Sequence, residues 1–138
     1  MNTTPYIQAE THRLECTAHL AIDRIRRSQS VSQIIQGMAL PVPPILRGLR
    51  HFSPAVRRVR SEAHRRAESI VRAQVATLSE IRDEPEFFQK RGAFLKEGIL
   101  LNGRFPRLAT YVRVESDRRL AQIRASHLNS RRDAPSTL

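Results

Sequence analysis

Tryptophan is absent from this sequence, cysteine occurs once, and glycine occurs five times in 138 residues. The single thiol, Cys16, excludes a disulfide framework within the chain. So few glycines leave little material for a phosphate-cradling loop. No HExxH, GxSxG, CxxC or paired-carboxylate motif occurs either. Five phenylalanines and two tyrosines are the only aromatic residues, so aliphatic side chains must carry the core. No apolar run approaches the ~18 residues of a membrane-spanning helix, and no transmembrane segment is expected. No basic stretch followed by an apolar block opens the chain, which argues against a secretory signal. Glu10, Glu15 and Asp23 argue against a cleavable organelle-targeting peptide. The expected location is intracellular and cytoplasmic, and organelle import without cleavage is also compatible.

What the chain has is arginine: 22 of its 24 basic residues, in a formal net charge of +11. That balance points to polyanions, namely nucleic acid, anionic lipid or an acidic protein surface. A GC-rich genome also produces such a bias without selection for binding. Basic residues outnumber acidic ones six to three in residues 1–52, seven to three in 53–82 and eight to three in 103–138. Only residues 83–102 reverse the balance, at three to four.

Hydrophobic spacing predicts an all-α fold, an elongated bundle of about four principal helices built around one long basic helix. Residues 53–82 are that helix. Ser53 and Pro54 supply a start signal, and no glycine or proline follows until Pro85. Val56, Val59, Ala63, Ala67, Ile70, Gln74, Leu78 and Ile81 recur with an average near 3.67 residues per turn, the period of a nearly straight seam. At ~1.5 Å per residue the helix is ~45 Å long, more than a compact chain of this size spans. Glu62 is placed to meet Arg58, Arg65 or Arg66, and Glu68 to meet Arg72.

Before it, residues 5–27 carry Ile7, Leu14, Ala18, Ala21, Ile22 and Ile25 at helical spacing. Ser30 with Gln33 has capping-box form ahead of a short helix. Pro41, Pro43 and Pro44 make residues 41–44 a stiff connector, and a short helix over 45–52 is expected to bridge onward. After the long helix, Asp83, Pro85 and Glu86 together signal a new start. The helix they open holds Phe87, Phe88, Phe94, Leu95, Ile99, Leu100 and Leu101, which marks it as the core helix surrounded by the others. Gly92 and Gly98 in its interior are expected to allow close packing against the alanine-rich seam. Asn102-Gly103 reads as its stop. A final helix over 106–129 should turn Leu108, Val112, Leu120, Ile123 and Leu128 inward. The expected organisation is one domain over 1–129 with a disordered tail over 130–138.

Candidate chemistry is sparse. His12, Cys16 and His19 share one helical face and are zinc-binding residue types. No second Cys/His pair completes a four-ligand set, so they are only a weak metal candidate and no cofactor is expected. As a catalytic base His64 has no nucleophile or orienting carboxylate that the sequence places for it. A non-enzymatic role follows. Arg57, Arg58, Arg60, Arg65, Arg66 and Arg72 form the densest basic run and are the expected polyanion-binding residues. They are placed to follow a phosphate backbone rather than to read base edges, since no base-reading motif or interleaved aromatics accompany them. The expected function is a basic accessory or structural subunit bound to RNA or DNA. The alternative is an adaptor in a protein assembly, making helix–helix and Arg–carboxylate contacts without nucleic acid.

Overall fold

The computed structural model describes residues 4–48 and 53–133 and is all-α, with no strand among them. Its helices are α1 (Thr4–Arg27), α2 (Val31–Gly37), α3 (Ser53–Leu78), α4 (Glu84–Arg104) and α5 (Pro106–Asp133). A single 3-10 turn, Pro44–Leu46, follows the proline connector. The four long helices match the expected number. The chain divides into two compact units, Met1–Ile70 and Val71–Leu138, with α3 contributing residues 53–70 to the first and 71–78 to the second.

In the first unit α1 packs against α2 and the 3-10 turn. Leu14, Ala18, Ile22 and Ile25 of α1 are buried, as are Val31 and Ile34 of α2, and Leu46. Ser30 accepts a bond from Gln33 N at 3.3 Å, as the capping box requires. Gln33 Oε1 accepts in return from Gln29 N at 2.7 Å, one residue before the cap itself. Gly37 has a packing reason: a Cβ there would stand 3.1 Å from Cγ1 of the buried Ile25. The buried row of α3 is Ala55, Val59, Ala63, Ala67 and Ile70. Ala55 replaces the expected Val56, which is half-exposed. The helix predicted over 45–52 is a 3-10 turn at its start, and residues 49–52 lie outside the described ones.

In the second unit Leu78, Ile81, Phe87 and Ile123 form the central cluster, with Phe94 and Leu120 packed on it. Asp83 caps α4 through Glu86 N at 3.3 Å, as predicted. α3 ends at Leu78 rather than residue 82. Its last carbonyls close tight three-residue turns, Ile81 N to Leu78 O at 3.2 Å among them. Arg119 of α5 then takes the Leu78 and Ile81 carbonyls, at 3.1 and 2.7 Å. The stop expected at Asn102-Gly103 falls one residue later, after Arg104, where Phe105 precedes Pro106. Gly103 stays helical, and Phe105 leaves the helix with φ −133 and ψ 67, as a residue before proline must. Phe105 is itself buried and its N–H reaches Leu101 O at 2.6 Å, so α4 and α5 meet at a sharp packed corner.

Further expectations fail in this unit. α4 is not surrounded: Phe87 and Leu101 are buried, whereas Phe88, Leu95, Ile99 and Leu100 face outward. Its apolar residues lie all round the helix, and α5 covers one side. Gly92 and Gly98 do not serve close packing, since a Cβ at either would meet nothing within 4 Å. Leu128, expected inward, is 59% exposed. α5 also continues past Asn129 to Asp133, so residues 130–133 of the expected tail are helical, while 134–138 lie outside the described residues.

Candidate polyanion interface

Much of the arginine is spent inside the protein. Arg26 of α1 grips Glu62 of α3 through two bonds, Nε to Oε2 at 3.3 Å and a terminal nitrogen to Oε1 at 3.1 Å. That bond from Arg26 holds the Glu62 carboxyl below its ordinary range, against the desolvation of its position, with the charges of Arg26 and Arg65 adding. The same carboxylate raises the Arg26 guanidinium, first by the hydrogen bond and then by charge. Arg66 of α3 donates from Nε to Ser28 O at 2.9 Å, closing the end of α1. In the second unit Arg91 meets Asp117 at 2.7 Å and Arg124 meets Glu84 at 3.3 Å. His127 Nε2 donates to Arg82 O at 3.0 Å.

Arginines at helix ends recur for a physical reason. The last turn of a helix leaves carbonyls unpaired and carries partial negative charge, and a planar guanidinium can reach two of them at once. A basic sequence can therefore be basic partly because it caps itself.

Among the described arginines without such a partner, which also include Arg24, Arg47, Arg82, Arg104, Arg107 and Arg113, the densest group lies on the first turns of α3. Arg57, Arg58 and Arg60 are exposed and make no hydrogen bond or ion pair among the described residues. By helical spacing Arg57, Arg58 and Arg65 lie away from the buried row of Ala55, Val59, Ala63 and Ala67, and Arg60 lies at its flank. Arg65 is 78% exposed and stands 3.7 Å from Glu62, a loose surface pair of little energetic weight. The other two expected residues are engaged elsewhere. Arg66 caps α1, and Arg72, in the second unit, lies 5.2 Å above the Tyr111 ring in a cation–π contact. Four guanidiniums over ~12 Å of one helix thus make the coherent part of the expected run.

Glu62 was read as a partner of its own helix, and its main partner is Arg26, 36 residues away. No periodic signal marks such a pair. Glu68 lies 3.9 Å from His64 Nδ1, one turn before it on the same helix.

The histidine–cysteine constellation is present only in part. Cys16 Sγ lies 3.7 Å from His12 Nε2, and His12, Cys16 and His19 are all exposed. Among the described residues no three His, Cys, Asp or Glu side chains gather as a metal-ligand set. The Cys16 thiol sits mid-helix, where backbone N–H groups are spent on the helix itself and cannot serve an oxyanion. No helix among the described residues is long and apolar enough to cross a membrane. Comparison with protein-family models, curated proteins and solved structures gave no match to this chain.

Proposed function

We propose that the protein is a non-enzymatic nucleic-acid-binding subunit that contacts the phosphate backbone through Arg57, Arg58, Arg60 and Arg65. The observation that carries this reading is the division of labour among the arginines. Arg26, Arg66 and Arg119 satisfy groups of the fold, while Arg57, Arg58 and Arg60 have no partner among the described residues. A run of uncompensated guanidiniums on the outer side of a helix suits a polymer of regularly spaced phosphates. It suits an acidic protein surface less well, because specific protein contacts would draw on apolar neighbours that this side of α3 lacks. The contact is sequence-tolerant, since arginines with no accompanying aromatic or amide side chains position a backbone without reading bases. An intracellular setting follows from that partner.

The test is binding of labelled RNA and DNA, single- and double-stranded, by the full chain and by the variant Arg57→Gln/Arg58→Gln/Arg60→Gln/Arg65→Gln. The expected result is salt-sensitive binding that the variant loses, with its helical signal intact. Equal binding by the variant overturns the assignment of these residues. Failure of the folded wild-type chain to bind any of the four polymers at low salt overturns the nucleic-acid reading in favour of the acidic protein surface.

A further inference from the structure

A cleft of about 250 Å³ lies between the last turns of α3 and the middle of α5, within the second unit. Three guanidiniums line it, those of Arg72, Arg118 and Arg119, against one carboxylate, Glu115. The fold holds two of the three in place. Arg119 donates from Nε to Leu78 O at 3.1 Å and from one terminal nitrogen to Ile81 O at 2.7 Å. Its other terminal nitrogen donates to Gln122 Oε1 at 3.2 Å. Arg72 stands over the Tyr111 ring, which also lines the cleft. Arg118 is the mobile member: it pairs with Glu115 at 3.0 Å, one turn back on its own helix, and its side chain is 63% exposed.

The hydrogen-bond inventory of this lining says what it takes. A guanidinium carries five N–H donors and no acceptor. Arg119 spends three of them on the bonds above, and Arg118 commits one to Glu115. The Gln122 oxygen is occupied by Arg119, which leaves that amide its N–H groups to donate. The Ser79 hydroxyl donates to Ala76 O at 2.7 Å. Donors therefore outnumber acceptors around the cleft, and three cations against one carboxylate leave a formal excess of two positive charges.

One chemical group answers both imbalances. A phosphate monoester brings a charge of about −1.5 to −2 at neutral pH and three strong acceptor oxygens. A carboxylate, or a phosphodiester within a nucleic-acid strand, brings a single charge and two free oxygens, half of what the lining asks for. The cleft is also larger than a bare phosphate needs, and Val75 and Ala76 give the esterified group an apolar wall. Because Arg72 and Arg119 are already held, an entering anion orders little besides Arg118, which keeps the entropic cost of binding low.

We propose that this cleft binds a phosphate monoester, with Arg118 turning from Glu115 to the phosphate beside the fixed Arg72 and Arg119. The site is independent of Arg57, Arg58, Arg60 and Arg65. Calorimetric titration of the full chain tests it with ribose 5-phosphate, acetate, and a short oligonucleotide with and without a 5′-phosphate. Ribose 5-phosphate is expected to bind once per chain and more tightly than acetate. Arg118→Gln should weaken that binding at least ~10-fold, and Glu115→Gln should strengthen it by removing the competing carboxylate. Arg118 is largely exposed, so its variant keeps the helical signal. The Arg57→Gln/Arg58→Gln/Arg60→Gln/Arg65→Gln chain should bind the ester as the wild type does. In that chain, an affinity that depends on the 5′-phosphate names a nucleic-acid end as the source of the group. Equal affinity for the two oligonucleotides, with ribose 5-phosphate bound, names a small ester. A chain that neither binds ribose 5-phosphate saturably nor distinguishes the oligonucleotides overturns the proposal. So does binding indifferent to both Arg118→Gln and Glu115→Gln, or binding lost with the α3 arginines.

Discussion

Arg119 reaches from α5 to the carbonyls of Leu78 and Ile81, and this decides where the long helix ends. Without it the Leu78 carbonyl would keep only the Ile81 N–H of its tight turn, and the Ile81 carbonyl would lose the guanidinium that reaches it. Hydrogen bonds to a charged group contribute ~1.5–3 kcal/mol, so Arg119→Ala should cost about 2 kcal/mol in a urea or guanidinium melt. Arg119→Lys should recover less than half of that, because an ammonium cannot fork across two carbonyls. Full recovery by lysine would mean that charge near the helix end, not the fork, is what α3 uses. Glu62 offers a second residue-scale measurement. Its carboxyl is depressed by the Arg26 bond, so the unfolded chain takes up its proton first as pH falls. The stability this provides is present above the unfolded value of about 4.3 and is lost as pH drops through the lower folded value. The stability gap between wild type and Glu62→Gln should therefore be widest near neutrality and shrink below about pH 4. A gap that is constant with pH would show that the charge of Glu62 is irrelevant to its contact.

At the scale of elements, the glycines separate packing from propensity. Gly98 costs α4 about 1 kcal/mol relative to alanine and has nothing within 4 Å of a would-be Cβ, so Gly98→Ala should raise stability by up to that amount. A Cβ at position 37 would stand 3.1 Å from Cγ1 of the wholly buried Ile25, closer than ordinary contact, so Gly37→Ala should lower it. Opposite signs in thermal melts are expected, and a gain at both sites would mean α1 and α2 pack more loosely than drawn. The same contrast shows what the sequence could tell. Periodicity and caps located all five helices, because Ser30 before α2, Asp83 before α4 and Pro106 at the start of α5 act on their own neighbours. The role of α4 was not legible. Its apolar residues encircle the helix, and composition alone cannot distinguish a helix buried on all sides from one buried on one side and apolar on another. The arginine run was legible as a run, but which members are spent was not, since Arg66 and Ser28 are joined only by the fold.

At the scale of the molecule, Arg57, Arg58, Arg60 and Arg65 all lie in the first unit, and their proposed contact with a polymer carries its own salt signature. Four phosphate contacts release counterions with a slope of about −0.9 each, so raising salt from about 50 to about 200 mM should weaken duplex DNA binding roughly 100-fold. Fluorescence anisotropy across that salt range checks this without a mutation. Polymer affinity independent of salt would remove the phosphate contacts from the account.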